Sequence, residues 1–319
     1  MPRIVYLSFP TAAVAGGQKM ILRHVETLRD LGFEAVVWRR GDAVAPAWFD
    51  HRAPIENDTP FSPDDVIVAP DDAPNALRTC LAGPQRTIVF NQNPYTLASL
   101  GIEAIAAAAG DRPPTFLTVG PGTARATRRI YPASEIEIVR CFADERRFRP
   151  GVKSPAVAYA PRKRPLEAHA VRNLFRKLHP RHAPIGWAGL DGAHERRVAA
   201  TFAQASLFLS LSRLEAVGMT PLEAMASGCL VAGFTGLGGR DFATAENGFW
   251  VGEDDCHAAA DALAEAADLA ATGGPALQAR LEAGFATARE WSYAAFRCEL
   301  EETWMRLAPQ ARRRAGPLD

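Results

Sequence analysis

The chain has 319 residues, of which 48% are hydrophobic, and this length predicts two globular domains of about 150 residues each. Its 36 basic residues balance 36 acidic residues, so no overall positive field favours nucleic acid and a small-molecule partner is favoured instead. No apolar run approaches the roughly 20 residues that a membrane-spanning helix needs.

The cysteines indicate a reducing compartment. They are odd in number, contain no CxxC pair and have no companion histidines at zinc spacing, as expected of reduced thiols in a cytoplasmic protein. The opening "MPRIVYLSFP" enters an apolar strand without a charged leader or cleavage site. We therefore predict a cytoplasmic protein. At most it is peripheral to a membrane, since a basic cluster such as Arg312-Arg313-Arg314 could touch an anionic lipid head group.

Strands alternate with helices along the first 150 residues. "RIVYLSF" predicts a strand, "QKMILRHVETLRDLG" an amphipathic helix and "EAVVW" the next strand. The strands "DVIVA", "TIVFN", "TFLTV" and "IEIVR" follow, separated by helical segments such as "TLASLGIEAIAAAAG" and "ATRRIYP". A strand–helix–strand crossover requires parallel strands, so this alternation predicts a doubly wound α/β domain over residues 1–150.

A second alternating series follows a linker. The linker is "FADERRFRPGVKSPA", which is rich in charge, proline and glycine. The strands "AVAYA", "APIGWAG", "SLFLSLS" and "CLVAGF" then alternate with helices, which predicts a second α/β domain over residues 151–290. The tail from Cys256 to about Leu307 is predicted to be almost wholly helical. The last predicted segment, 291–319, carries large apolar residues in "WSYAAFRCELEETWMRL" that suit docking on another surface.

The stretch "SRLEAVGMTPLEAMASG" carries the strongest candidate site. Ligands of open α/β sheets lie beyond the carboxyl ends of the strands, and Glu215 follows "SLFLSLS" at that position. We expect the next helix to begin with Thr220 as N-cap, Pro221 at the first helical position and Glu223 closing a capping box. Capping alone would account for Glu223.

The same stretch also suits a nucleotide sugar. A helix N-terminus presents unpaired N–H groups to a phosphate, and Gly218 lets the backbone come close. Glu223 would then lie about one turn away, where it could accept hydrogen bonds from a ribose diol. Glu215 would lie on the far side of the phosphate. This spacing predicts one carboxylate for the ribose and another for the group beyond the diphosphate.

These residues resemble a known family. The Glu215-x7-Glu223 pair, continued by "EAMASGCLVAGFTGLGG" and "AENGFWV", is similar to the donor-site signature of GT-B-fold retaining glycosyltransferases of family 4 (group 1). "AGGQKMILRHVETLRDLGFEAVVW" resembles the family's N-terminal Gly-Gly loop and helix. "VRCFADERRFRPG" resembles its domain linker, and "WSYAAFRCELEETW" its C-terminal helix.

The resemblance implies a fold and an activity. The fold is two Rossmann-like doubly wound domains facing across a cleft: an acceptor-binding domain (1–150), a donor-binding domain (151–290) and a C-terminal helix (291–319) that returns to the first domain. The activity is transfer of a hexose, with retention, from a UDP- or GDP-linked sugar to a saccharide, lipid-linked or protein acceptor. The resemblance implies no metal and no cofactor beyond this substrate.

It also implies residue roles in donor binding. Glu223 would bind the ribose hydroxyls and Glu215 the hydroxyls of the sugar. The backbone amides of Gly218, Met219 and Thr220 would hold the diphosphate. Arg162 and Lys163 would neutralise the diphosphate as it departs. Gly16 and Gly17 would let the first domain approach a substrate. "AYAPRKRP" departs from the family's Gly-Arg opening. The choice among Arg162, Lys163 and Arg164 therefore stays open, as does a merely solvated basic turn.

A second departure lies in the first domain. Many family members carry a histidine after the strand that here ends in "FNQNPY", whereas this chain has Asn91, Gln92 and Asn93. Amides can hydrogen-bond a sugar but cannot accept a proton as a base. The family is thought not to need a strong base, since a diphosphate oxygen can take the proton. We expect the three amides to contact acceptor or sugar.

Signals of other classes are absent from the sequence. No G-x-G-x-x-G follows the first strand and no P-loop occurs, which argues against a dinucleotide dehydrogenase and a P-loop enzyme. The seven histidines lack metal-ligand spacing. Two alternatives remain open: a catalytically inactive nucleotide-sugar-binding module and a nucleotide-sugar 2-epimerase.

Overall fold

The computed structural model describes residues 1–9, 14–41, 46–110 and 112–313. They form two units, one made of Met1–Arg140 with the chain from Phe296 onward, the other of Cys141–Ala295. The division after Arg140 lies earlier in the chain than the boundary predicted at residue 150. Of the segment predicted over 291–319, the part before Phe296 belongs to the second unit.

The first unit is built on a parallel sheet of seven strands. Their order is β3-β2-β1-β4-β5-β6-β7, and every neighbouring pair is parallel. The strands are β1 (Ile4–Leu7), β2 (Ala35–Arg39), β3 (Ile55–Asn57), β4 (Val66–Pro70), β5 (Arg86–Asn91), β6 (Thr115–Thr118) and β7 (Ile136–Ile138). The helices are α1 (Gly16–Asp30), α2 (Pro74–Ala82), α3 (Pro94–Thr96), α4 (Ile102–Ala109) and α5 (Pro121–Ile130), with a π-helical turn at Leu97–Gly101.

Two elements of this unit are missing from the sequence prediction. Strand β3 is only three residues long and has no buried residue, so it gives no apolar alternation to detect. Helix α2 buries just Leu77 and Cys80, which is too little for a clear amphipathic pattern. The predicted helix over "TLASLGIEAIAAAAG" is interrupted by the π-helical turn, which separates α3 from α4.

The chain's last helix completes the core of the first unit. Helix α11 spans Tyr293–Leu307, and its Phe296 and Trp304 are fully buried. The Trp304 ring lies 6.1 Å from that of Tyr6 on β1, and the Phe296 ring 5.0 Å from that of His24 on α1. Burying such large aromatic surfaces contributes several kcal/mol to stability. The segment after Phe296 is thus integral to the first unit.

The second unit is built on a parallel sheet of five strands. Its order is β12-β11-β10-β8-β9, again with every neighbouring pair parallel. The strands are β8 (Ser154–Tyr159), β9 (Gly186–Gly189), β10 (Ala205–Leu211), β11 (Leu230–Phe234) and β12 (Phe249–Val251). The helices are α6 (Pro165–Leu178), α7 (Glu195–Gln204), α8 (Met219–Ala226), α9 (Cys256–Thr272) and α10 (Gly274–Glu290).

The sheet of the second unit is buried most deeply at its centre. Strand β10 lies between β11 and β8 and reads "ASLFLSL", a nearly continuous apolar run, as a strand covered on both faces requires. The alanine-rich helix α9 packs on this sheet. Because all five strands are parallel, their carboxyl ends lie at one edge. The segments after β8, β10, β11 and β12 therefore leave the sheet on the same side.

Candidate functional site

Helix α8 does not begin as the capping-box prediction requires. It starts at Met219, Gly218 is its N-cap, and no side chain caps it. Pro221 is thus the third helical residue rather than the first. Its missing N–H is still harmless at the third position, because the first four amides of a helix lack intrahelical acceptors. The prediction that Thr220 is the N-cap, with Glu223 closing a capping box, is wrong.

The loop between β10 and α8 is shaped by a glycine-rich segment packed against it. A Cβ on Gly238 would lie only 2.4 Å from the Ala216 carbonyl oxygen, so no larger residue fits there. Gly236 adopts a positive φ of +61°, and its neighbour Leu237 donates its amide to the Arg213 carbonyl at 2.7 Å. The glycines of "TGLGG" therefore hold the backbone that leads to Glu215.

Two of the predicted catalytic residues, one of them in this loop, lie in contact. The Lys163 ammonium lies 3.0 Å from Oε1 of Glu215, and both side chains are partly exposed, at 32% and 22%. Lys163 ends a short 3-10 helix (Pro161–Lys163) after β8, and Glu215 lies in the loop after β10. Since β8 and β10 are adjacent parallel strands, their carboxyl ends bring the two residues together.

The three basic residues after β8 occupy different environments. Arg162 is exposed, Lys163 is half-buried beside Glu215, and Arg164 is 1% exposed among carboxylates. Sequence alone left open which of the three meets a diphosphate. The structure separates Arg164 from the other two.

The residues at the start of α8 that were predicted to bind the donor differ in how accessible they are. Glu223 is buried at 7% exposure, whereas Met219 and Thr220 are half-buried. The Met219 amide already donates to the Val217 carbonyl at 3.1 Å. Gly218 is buried, and a Cβ there would come within 3.2 Å of the Ser212 hydroxyl. The amide of Met219 is therefore engaged within the loop, which leaves Gly218 and Thr220 as the stronger candidates for an anion.

In the first unit the structure joins two further predicted residues. Nε2 of Gln92 donates to the Gly17 carbonyl at 3.0 Å, and a Cβ on Gly17 would lie 2.9 Å from Oε1 of Gln92. A larger residue at Gly17 would push the Gln92 amide away from its present position. Gly16 is the first residue of α1, with Ala15 as N-cap.

Asp71 is a buried carboxylate that the sequence analysis did not single out. It follows β4 and accepts the amides of Gln92 and Asn93 at 3.3 and 3.2 Å. Burial raises the pKa of Asp71 to about 7, because desolvation disfavours the charged carboxylate more than the two amide hydrogen bonds stabilise it. An aspartate pair after an apolar strand, "DVIVAPDD", gives little sign of this role of Asp71.

The remaining two amides are engaged within the unit. Asn91 is fully buried, and its Nδ2 donates to the Thr127 hydroxyl at 2.7 Å. Asn93 accepts the Tyr95 amide at 2.9 Å through Oδ1 and so caps the short helix α3. Asn91 therefore lies away from solvent, while Gln92 and Asn93 are half-buried.

Comparison with known proteins relates part of the chain to a known family. The family described as "Glycosyl transferases group 1" matches residues 159–268, which include Lys163, Glu215 and Glu223. An alpha-1,6-glucosyltransferase of Actinobacillus pleuropneumoniae serotype 7 (strain AP76) is 26% identical over 276 residues, 83% of each chain. The chain is a glycosyltransferase, and its residues 159–268 match the group 1 family.

Solved structures agree with the fold of this glycosyltransferase. Sucrose-phosphate synthase from Thermosynechococcus elongatus superposes with a TM-score of 0.70 at 14% identity, covering 97% of this chain and 100% of that one. Anabaena HepE in complex with UDP-glucose has a TM-score of 0.68 at 12% identity, covering 95% and 99%. The prediction of two Rossmann-like α/β domains of GT-B type is confirmed.

The described residues of this glycosyltransferase include neither a membrane-spanning helix nor a cluster of metal-binding side chains. Within the described ranges, no helix has both the length and the apolar character needed to cross a bilayer. In the same residues, no group of three or more His, Cys, Asp or Glu side chains forms a metal cage.

Proposed function

We propose that this glycosyltransferase moves a hexose from a nucleoside diphosphate sugar, UDP- or GDP-linked, to a saccharide, lipid-linked or protein acceptor, with retention and without a metal ion. The observation that carries the proposal is the Lys163–Glu215 pair, with an ammonium and a carboxylate 3.0 Å apart at the carboxyl edge of the second unit's sheet. One charge suits a departing diphosphate and the other suits sugar hydroxyls.

The preferred donor in this proposal is UDP-glucose. Two comparisons support that choice: HepE was solved with UDP-glucose, and the curated relative is a glucosyltransferase. A GDP-linked hexose is the competing donor. Thermal-shift measurements with UDP and GDP rank the two, because a ligand that binds the folded state raises its melting temperature.

The Lys163–Glu215 pair fits the charge changes of the reaction. Breaking a glycosyl phosphate bond concentrates negative charge on the leaving diphosphate, and a positioned cation stabilises it. An ammonium has three donors, so Lys163 retains two for phosphate oxygens while the third points to Glu215. Glu215 likewise retains acceptor sites for sugar hydroxyls. Each group therefore holds its partner in place and still contacts substrate.

The start of α8 would hold the rest of the nucleotide. The amides of Gly218 and Thr220 and the positive end of the helix suit phosphate oxygens, and Glu223 suits the ribose diol. Arg162, exposed beside Lys163, adds a second cation. These charges and dipoles are our reason for assigning the diphosphate to protein groups rather than to a metal ion.

The transfer step follows from these assignments. The acceptor hydroxyl attacks the anomeric carbon from the face that the diphosphate leaves, the bond to the diphosphate oxygen breaks, and that oxygen takes the hydroxyl proton. This sequence conserves atoms and charge without a base on the enzyme. We assign acceptor binding to the first unit, where Gln92 and Asn93 are half-buried and braced by Asp71.

The test measures UDP released from UDP-glucose by the full-length chain, with and without a panel of saccharide acceptors. Wild type is expected to release UDP slowly with water as acceptor and faster with a cognate saccharide. Glu215→Gln is expected to bind UDP with unchanged affinity but to lower UDP release about 100-fold, the scale of losing one preorganised transition-state contact. The control is Glu282→Gln, an exposed acid on α10 that pairs with Arg289.

Three outcomes would contradict the proposal. Unaltered release by Glu215→Gln would remove Glu215 from the site. Tight UDP binding with no release by wild type would identify an inactive binding module. Conversion of the sugar without any acceptor would identify an epimerase.

A further inference from the structure

Arg164 is an unusual residue for its place in the fold. It directly precedes α6 as its N-cap residue, where the helix dipole disfavours a cation, and yet its side chain is 1% exposed. A buried guanidinium needs both neutralising charges and hydrogen-bond acceptors, since leaving either unmet is costly. Its partners therefore reveal what the site requires.

The partners of Arg164 come from several segments of the second unit. Its Nε donates to the Ser212 carbonyl at 2.9 Å, Nη2 pairs with Glu253, and Nη1 pairs with Asp254 and, at 3.5 Å, with Glu167. The guanidinium also lies 4.5 Å over the ring of Phe234. All of its donor nitrogens thus have partners.

Glu253 extends this network one step further. Its Oε1 accepts the Gly236 amide at 2.8 Å and the Thr235 hydroxyl at 3.3 Å. Asp254, the next residue, adopts a left-handed φ of +65°, a conformation that is uncommon outside glycine, asparagine and aspartate. Arg164 therefore fixes the turn after β12 and, through it, the glycine-rich segment after β11.

These contacts join four neighbouring strand ends. Arg164 follows β8, Ser212 follows β10, Phe234 ends β11 and Glu253 follows β12. The strands lie side by side in the order β12-β11-β10-β8. A single side chain thus links the loops that carry Lys163 and Glu215, because Lys163 precedes Arg164 directly and Glu215 lies three residues after Ser212.

We propose that Arg164 is a positioning residue: its guanidinium holds the loops after β8, β10, β11 and β12 in the arrangement that sets Lys163 against Glu215. This inference rests on the function proposed above for that pair. Three carboxylates neutralise Arg164, so the contact with the diphosphate falls to Lys163 and Arg162. The two adjacent cations, Lys163 and Arg164, thereby have separate tasks.

The first experiment needs no activity. Arg164→Lys keeps the charge but loses the planar fork that reaches several acceptors at once. Hydrogen exchange is measured on peptides that cover 212–218 and 234–237, where the amides of Gly236 and Leu237 are bonded. We expect exchange in both peptides to rise about tenfold or more while α10 exchanges as in wild type. Unchanged exchange in both peptides would overturn the proposal.

The second experiment separates positioning from binding. Arg164→Lys is expected to lower the kcat for UDP-glucose cleavage by about 100-fold, the scale of a misplacement near 1 Å, with UDP affinity within about threefold of wild type. Glu253→Gln keeps an acceptor for the Gly236 amide but replaces the oxygen that pairs with Arg164 by an NH2 donor, so it disconnects Arg164 from Gly236 without removing the buried cation. It covers the case in which Arg164→Lys does not fold. We expect it to show the same kcat loss in milder form. The control is Arg146→Lys, which alters a separate fork to Asp144.

The outcomes distinguish this inference from the proposed function. If wild type cleaves no nucleotide sugar, the function fails and the exchange experiment alone decides on Arg164. If wild type is active and folded Arg164→Lys retains its kcat, the positioning role is wrong. If the activity of Arg164→Lys falls only as much as its UDP binding falls, Arg164 is structural and does not position the Lys163–Glu215 pair.

Discussion

The sequence predicts two roles for Glu223, helix capping and nucleotide binding, and the structure distinguishes them. Its predicted capping role is wrong, since α8 begins at Met219 with Gly218 as N-cap, and yet its carboxylate is buried at 7% exposure. Its position in the first turns of α8, without a capping role, fits the second role predicted for it, binding of a nucleotide's ribose. Nucleotide binding stays a prediction for this residue.

Glu223→Gln tests that hypothesis. The change keeps the shape but turns one acceptor oxygen into a donor, which cannot accept from a ribose hydroxyl. We expect UDP affinity to fall about tenfold, equivalent to about 1.4 kcal/mol, as measured by titration calorimetry. The matched control is Glu265→Gln, an exposed acid on α9. A lower melting temperature with full UDP affinity would restrict Glu223 to a structural role.

Local sequence patterns predict some contacts of the candidate site and miss others. The pairing of Glu215 with a cation of "PRKR" was within reach, because both follow neighbouring parallel strands. The distinction between Lys163 and Arg164 was not, because the acids that neutralise Arg164, Glu253 and Asp254, lie about 90 residues further along the chain. Asp71 was missed for a similar reason: its role depends on Gln92 and Asn93, which follow a different strand.

Among the elements, helices α7 and α8 share one cation at their ends. Nζ of Lys153 donates to the carbonyls of Phe202, Ala205 and Ser227 at 2.8, 2.9 and 2.6 Å. The last carbonyls of a helix have no intrahelical partner and carry negative partial charge, so an ammonium there satisfies both needs. Burial lowers the pKa of Lys153, because its charge is held away from water.

Lys153→Met is therefore expected to destabilise the second unit. It removes three charge-assisted hydrogen bonds and leaves carbonyls unpaired, at a cost of about 3 kcal/mol. Urea denaturation gives the change in unfolding free energy, and Lys177→Met, at an exposed lysine on α6, is the control. If the two variants unfold at the same urea concentration, Lys153 does not hold the helix ends.

The elements that periodicity reveals were predicted, and those set by distant packing were not. The apolar strands and amphipathic helices of both units follow from local patterns. The start of α8 does not, because the loop before it is fixed by Gly238 against the Ala216 carbonyl and by Leu237 against that of Arg213. A local capping rule gave the wrong first residue since it ignores these contacts.

At the scale of the whole molecule, stability and pH are linked through two buried groups of opposite sign. His24 is fully buried, with Nδ1 2.9 Å from the Tyr6 hydroxyl, and burial lowers its pKa to about 3. Asp71 is buried too, and its pKa is raised to about 7. Unfolded His and Asp titrate near 6.5 and 3.9.

The signs of the two contributions follow from proton counts. Between about pH 4 and 6.5 the unfolded chain binds a proton at His24 that the folded chain does not, so this contribution to stability falls as pH drops. Over the same range the folded chain holds a proton at Asp71 that the unfolded chain lacks, so that contribution falls as pH rises. The two opposing slopes, about 1.4 kcal/mol per pH unit each, largely offset one another.

Removing either group should reveal the pH dependence of stability that the other group contributes. Relative to wild type, His24→Phe is expected to make unfolding free energy decline as pH rises from 4 to 6.5, and Asp71→Asn is expected to make it climb. Urea denaturation at four pH values measures both slopes, and each variant serves as the control for the other. Parallel curves for all three proteins would mean that neither group titrates as described.

The discontinuity of the first unit has a consequence for biosynthesis. The second unit is one continuous stretch, whereas the first needs Trp304 and Phe296, which emerge from the ribosome long after β1 to β7. The stretch made first is therefore the last to finish folding. The surface that Phe296 and Trp304 cover stays exposed while the following 155 residues, Cys141–Ala295, are translated. A nascent chain released early would present that surface to chaperones and proteases.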